Sequence, residues 1–346
     1  MQQTLLLAEA KKKKRKKHRL ILALLGAALV TGFFSMCLGR YPLSVGEIVD
    51  AFAKLIRSER IDPNVNNVLM NIRLPRVLLA ALAGAGLSLA GAAFQSLFSN
   101  PLATPDTLGV ASGASFGAVL ALLFGLPFVM VQGLAMIFGA IAVIMVYLVS
   151  ATRSERSTIM LVLSGMVVSA LFQALVSVVK LCADPQNDLP AITFWLMGGL
   201  SSVTYSSLLL SAPFILIGVF LIWLLRWRLN AMSLHREEAQ TLGINVRLIR
   251  LLLIFASTMI TAAVVSVCGQ IGWVGLLIPH VSRMIFGNDN RYVISASVGL
   301  GALFFILIDT VARTATAAEI PVSILTALIG APVFIVLLRK TGGVSV

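Results

Sequence analysis

A chain of 346 residues that is 58% hydrophobic and only 12% charged, with a mean hydropathy of +0.97, is not a soluble domain, which carries about 25% charge. The composition is that of an integral membrane protein, and the 27 glycines suit helices that approach closely in lipid. The net charge of +13 is unevenly placed, because Lys11 to Arg19 is an unbroken run of Lys, Arg and His. In a soluble protein that run reads as a nucleic-acid arm. Here it abuts an apolar stretch and reads as a cytoplasmic anchor under the positive-inside rule.

A span needs about 20 mostly apolar residues. In chain order that rule predicts ten spans, near 20–39, 74–98, 108–125, 127–150, 158–181, 206–225, 247–267, 271–286, 292–312 and 321–338. Residues 1–19 form a basic tail, and 20–340 form one ten-span domain. Between the first two spans, Arg40 to Asn71 is the longest polar stretch. In it, Ser44 followed by Glu47 predicts a capped amphipathic helix lying along the surface. Asp184 to Pro190 marks a second loop, before a short amphipathic segment at Ala191–Leu200. The eighth span holds Gly272, Gly275 and Pro279, which predicts a broken helix that neighbouring helices must cover. Cys37, Cys182 and Cys268 are far apart and serve as small apolar fillers.

Ten spans place both termini on one side. With the tail fall Arg153, Arg156, Arg226, Arg228, Arg236, Arg247, Arg250, Arg283, Arg291, Arg339 and Lys340; opposite fall Arg40, Lys54, Arg57, Arg60, Arg73, Arg76, Lys180 and Arg313. The bias predicts cytoplasmic N- and C-termini. Arg73-Leu-Pro-Arg76 has an echo at Arg247-Leu-Ile-Arg250, about half a chain later, and each opens a long apolar helix on opposite faces. The echo is either chance or the mark of an inverted five-plus-five repeat, a common transporter design.

No Gly-Lys dipeptide occurs, so there is no Walker A loop. No His, Cys, Asp and Glu cluster has metal spacing, and His280 stands alone after Pro279. No catalytic arrangement is visible, so the chain reads as a transport subunit and not an enzyme. The spans are nearly empty of acids, with Asp309 and Glu319 flanking the outer end of the ninth. An ion-coupled carrier keeps an ionisable group inside a span, so an externally powered permease fits better.

Three groups of residues now fall into a known order. They are Arg73-Leu-Pro-Arg76, Gly91-Ala-Ala-Phe-Gln95 and Asn100-Pro-Leu-Ala-Thr-Pro-Asp-Thr-Leu-Gly109 in the first half. The second half adds Glu238-Ala-Gln-Thr-Leu-Gly243, Gly269 to His280 with Arg283, Asp309-Thr-Val-Ala-Arg313, Glu319-Ile-Pro321 and Gly330-Ala-Pro332. In these the chain resembles the FecCD-type permeases, the membrane subunits of ABC importers for iron-siderophores, haem and vitamin B12, over about residues 20–340. The resemblance implies an all-α, ten-span type II ABC importer permease of the cell membrane. Its implied partners are a second permease subunit, identical or homologous, a cytoplasmic ATPase dimer and an extracytoplasmic binding protein. ATP would be bound by the partner subunits, leaving this chain without a cofactor. A ferric siderophore or related chelate is the implied substrate, with haem or vitamin B12 as alternatives. A stand-alone secondary transporter and a non-transport scaffold are the rival classes.

The resemblance also assigns residues. Arg73, Arg76 and Arg313 would meet acidic groups of the binding protein, although arginines there can also snorkel or cap loops. The segment Leu229–Val246, with Glu237, Glu238, Ala239, Leu242 and Gly243, would seat in the ATPase; its composition alone fits a solvated connector equally well. Asn100, Leu102, Ser157 and Thr158 match positions that constrict the cytoplasmic exit. The fifth span carries Ser164, Ser169 and Gln173, which fit either a pathway lining or tight helix packing.

Overall fold

The computed structural model describes residues 2–150, 158–232, 238, 241 and 243–340, and every regular element among them is helical. Helix α1 (Gln2–Cys37) runs without a break from the basic tail through the first span. Nothing in Lys11–Arg19 opposes this, since Lys and Arg are good helix formers. Helix α2 (Val45–Ile56) carries the expected capping box: Glu47 N–H donates to Ser44 Oγ, and Ser44 N–H donates to Glu47 Oε2 at 2.7 Å. Ile48 and Ala51 bury one side of α2 against Met36, Leu43, Leu69 and Val77, which lays the helix across one end of the bundle.

A short helix α3 (Pro63–Asn66), capped by Asp62, leads into a π-helical stretch, Asn67–Arg73, and then into α4 (Leu74–Leu97). Pro75 explains the wide stretch, because it cannot donate to an i−4 carbonyl and the preceding coil must adjust. There follow α5 (Val110–Leu123), α6 (Phe128–Val149), α7 (Thr158–Cys182), α8 (Asp188–Leu196), α9 (Tyr205–Leu225) and α10 (Arg228–Ala231). The last four are α11 (Val246–Cys268), α12 (Val274–Phe286), α13 (Asn290–Thr314) and α14 (Val322–Lys340).

Among the described residues, 7 helices are long and apolar enough to cross a membrane; α5, α12 and most of α14 are shorter apolar helices. Together they fall on the ten expected spans. At 1.5 Å per residue, α5 and α12 reach about 20 Å, less than the hydrocarbon core of ~30 Å. The rest of each crossing is irregular backbone, a 3-10 turn at Pro105–Leu108 before α5 and residues 269–273 before α12. Such backbone persists at that depth only where protein covers it.

The covering helices are α4 and α11, whose apolar windows are 83% and 78% buried. They touch each other. In addition α4 packs on α12 and α13, while α11 packs on α5 and α6. Each half therefore lends its central helix to the other half's broken span, as an inverted repeat requires.

Small residues allow these crossings. Pro279 leaves the Gly275 carbonyl without its helical donor, and the backbone of Gly91 lies directly on that carbonyl, where any Cβ would collide. A methyl at Gly91 forces backbone apart. Gly91→Ala is expected to lower stability by about 1–3 kcal/mol in thermal unfolding in detergent. Gly133→Ala, where a Cβ meets nothing within 4 Å, is expected to be neutral or slightly stabilising.

Candidate functional site

Two side-chain networks stand out in this apolar bundle, one toward each end. At the end where α4 begins, Arg76 is 6% exposed. Its Nε donates to Asp309 Oδ1 and Oδ2 at 2.9 and 3.1 Å, and Nη1 and Nη2 donate to the two carboxylate oxygens of Glu319 at 3.0 Å each. Asp309, 1% exposed, also faces Arg313 Nε at 3.8 Å. The two acids bind one fork-shaped cation, the geometry that suits guanidinium best. This ties the start of α4, the end of α13 and the loop before α14.

The other two arginines close the end of α1. Arg73 donates to the carbonyls of Met36 (2.5 Å), Cys37 and Tyr41. Arg313 donates to Leu38 O at 2.7 Å, to Ser35 O and to Ser35 Oγ. The last carbonyls of a helix have no partner within it and carry partial negative charge; two buried guanidinium groups satisfy them here. The resemblance offered Arg73, Arg76 and Arg313 as docking charges, with loop capping as the alternative. The fold buries all three, because α1 carbonyls and two acids converge on the same rim.

At the opposite end a second polar chain forms. Arg283 Nη2 donates to Ser96 Oγ at 2.8 Å, Ser96 Oγ donates to Asn290 Oδ1 at 2.8 Å, and Asn290 N–H donates to Asn230 Oδ1 at 2.8 Å. Asn230 Nδ2 then donates to Asp289 Oδ1 at 2.9 Å, and Asp289 pairs with Arg291 at 2.7 Å. Hydrogen bonding from Arg291 holds the Asp289 carboxyl down at about 2, so this link stays ionised at neutral pH. The chain joins α4 and α12 to α10, which opens the expected coupling segment. Sequence reasoning did not find Ser96, Asn230, Asp289 or Asn290 in this role. For Asp289 and Asn290 the local signal was the polar turn Gly287-Asn-Asp-Asn290 between two apolar helices. Near this chain, Gln95 Nε2 donates to Leu276 O at 3.1 Å, covering another carbonyl of the broken helix.

The other expected residues divide. Asn100 and Leu102 are exposed in the turn after α4, with Leu102 N–H donating to Asn100 Oδ1 at 2.9 Å. Ser157 lies outside the described residues, and α7 begins at Thr158. Ser164 is buried at 4% exposure, and Ser169 packs against Gly109, while Gly165 lies directly on the Thr107 carbonyl, where α7 meets the Pro105–Leu108 turn. Gln173 is on the exposed face of α7 with Met166, Val167, Ala170 and Ala174. Of the two expected uses of this face, helix packing is the one that the contact of Ser169 with Gly109 displays. In the coupling segment Glu238 is helical and exposed, and Gly243 has φ +71, while Glu237, Ala239 and Leu242 lie outside the described residues. Among the described residues no group of three or more His, Cys, Asp and Glu could hold a metal ion.

Seven long and three shorter apolar helices among the described residues, with two broken spans, crossed central helices and a polar link to α10, make the architecture of a transport permease. Residues 27–340 match the model of the FecCD transport family, and the chain belongs to that family of ABC importer permeases. It is 42% identical over 312 residues to the molybdate import system permease protein MolB of Haemophilus influenzae, covering 90% of this chain and 92% of that one. It is 40% identical over 279 residues to a Helicobacter pylori permease described as belonging to an iron chelatin transport system, covering 80% and 84%. A solved inward-facing conformation of a metal-chelate type ABC transporter superposes with a TM-score of 0.84 at 40% identity, covering 93% of this chain and 99% of that one.

The caps on α1 are open to test. Arg73→Gln and Arg313→Gln each leave buried carbonyls without donors and are expected to cost about 1–3 kcal/mol. Thermal unfolding and limited proteolysis of the 38–44 loop should both report the loss. Unchanged melting and cleavage would return these arginines to a purely surface role.

Proposed function

We propose that this chain forms half of the membrane pathway of an ABC importer for a ferric chelate, fed by an extracytoplasmic binding protein and powered by separate ATPase subunits. The observation that carries the reading is the exposed face of α7. It is long, neutral and largely apolar, with Gln173 and Ser177 as its polar members among Met166, Val167, Ala170 and Ala174. A second permease subunit set against this face completes a wide conduit that binds weakly. A bulky chelate with its metal charge shielded can pass such a surface. A small doubly charged oxyanion would lose hydration there without cations to replace it. Likeness to a metal-chelate type transporter over nearly the whole chain supports the same choice. The 42% identity to a molybdate permease favours the second reading, molybdate.

The remaining roles follow from this reading. The basic tail and both termini are cytoplasmic, which puts Asn100 and Leu102 at the cytoplasmic exit as gate residues together with Ser157 and Thr158. The polar chain from Ser96 to Asn230 lies between that exit and the coupling segment 229–246, where Glu237, Glu238, Ala239, Leu242 and Gly243 contact the ATPase. At the outer rim, Glu319 is the most accessible member of the ion knot, with 31% of its side chain exposed. A carboxylate of the binding protein docks by exchanging with Glu319 on Arg76, beside Arg73 and Arg313. Glu319→Gln is therefore expected to tighten docking roughly threefold to tenfold in a pull-down, by weakening the competitor for a charge-assisted bond.

Two measurements test the function. In proteoliposomes containing the permease dimer, its ATPase and its binding protein, ferric chelates are expected to accumulate only with ATP. Accumulation of molybdate without chelate uptake selects the second reading, and ATP-independent uptake of either overturns the ABC assignment. Gly243→Pro is expected to abolish substrate-stimulated ATP hydrolysis while the subunits still co-purify. Proline is fixed near φ −65° and cannot adopt the left-handed turn at this position.

A further inference from the structure

The basic tail has a use beyond setting topology. As α1 leaves the bundle it stays helical, and one side of it packs against α13. Lys17 Nζ donates to Phe286 O at 2.5 Å and sits 4.7 Å from the ring centre of Tyr292, while the His18 ring meets Tyr292 edge-on at 5.6 Å. Beside these contacts, between residues of α1, α9 and α13, lies an open cavity of about 390 Å³. Its polar rim is Lys14, His18, Arg226 and Arg291, and Trp223 and Tyr292 form its aromatic wall.

The charge balance of the rim is uneven. Arg291 is held by Asp289, so that pair is close to neutral. Arg226 Cζ sits over the Trp223 ring, 3.7 Å from its centre, and Nη1 donates to Trp223 O at 2.8 Å. That leaves most of its fork directed elsewhere. Lys14 is exposed and faces the same space. Two cations thus share one cavity. Below the rim the surface turns apolar: Ile21 and Leu22 line the cavity, and Leu25, Leu29 and Phe220 continue exposed along α1 and α9. Cations above, aromatic rings at the boundary and an uncovered aliphatic strip below match the polarity profile of one leaflet of a bilayer.

We propose that this cavity binds the headgroup of an anionic phospholipid, with Lys14 and Arg226 on its phosphate and its acyl chains lying along Leu22, Leu25 and Leu29. The site pins the tail of α1 to α9 and α13 at the end of the bundle where the polar chain through Asn290 begins. It rests on the chain's crossing a membrane and not on the identity of the substrate.

Native mass spectrometry of the full-length chain in neutral detergent tests it, with separate titrations of phosphatidylglycerol, phosphatidylcholine of the same acyl chains, and inorganic phosphate. Phosphatidylglycerol is expected to be retained at roughly thirtyfold lower concentration than phosphatidylcholine, the scale of two interfacial cations. Lys14→Gln with Arg226→Gln should remove most of that preference. Lys12→Gln with Lys13→Gln, which takes the same charge from the tail outside the cavity, should keep it. If the Arg226 change harms folding, Lys14→Glu alone, at an exposed helical position, should read the same loss. Equal retention of both lipids, equal loss in the Lys12 and Lys13 variant, or displacement of the lipid by millimolar inorganic phosphate would each overturn the proposal.

Discussion

The pairing of Arg76 with Asp309 sets the terms for one whole end of this protein. Both groups are almost fully buried, and a buried charge without a partner is not tolerated in an apolar bundle. The pair therefore fixes where α4 must meet α13. Glu319 extends it to the loop before α14, and Arg313, one turn beyond Asp309, extends it to the end of α1. Once those four segments are joined, the π-helical stretch before Pro75 is explained as well, since it brings Arg73 and Arg76 onto their separate partners.

The rest of the bundle is held by closeness more than by polarity. The broken spans expose carbonyls that no helix of their own can satisfy. The fold answers with Gly91 against Gly275 and with the Gln95 amide on Leu276. Backbone contact of this kind demands small residues on both sides, and it gives the two halves a shared centre in α4 and α11. A transporter needs such a centre to be stiff, so that movement is confined to the ends, where the turn at Asn100 and the connector after Asn230 lie.

Much of this was legible in the sequence. The spans, the capped helix after Ser44 and the broken eighth span follow from hydropathy, from one Ser-Glu spacing and from Gly and Pro placement. Each of these is a local property. The ion knot was not legible, although its members were in view, because Asp309 and Arg76 are far apart in the chain and neither carries a local sign of the other. Ser164 and Ser169 stayed ambiguous for a related reason: a small polar residue suits a packed turn as well as a water-filled path, and only the neighbour decides. The polar chain from Ser96 to Asp289 joins elements from both halves, so no single window of sequence contains it.

The central claim is that the Arg76–Asp309 pair is a structural joint of the fold. A double-mutant cycle measured by thermal unfolding in detergent tests it most directly. Arg76→Leu and Asp309→Leu alone each take the main partner from a buried charge and should each cost about 3–5 kcal/mol, whereas the double variant, in which Arg313 keeps the α1 carbonyls and Glu319 is partly exposed, should cost clearly less than the two losses added. Single variants that melt like the parent chain, or losses that simply add, would contradict the account.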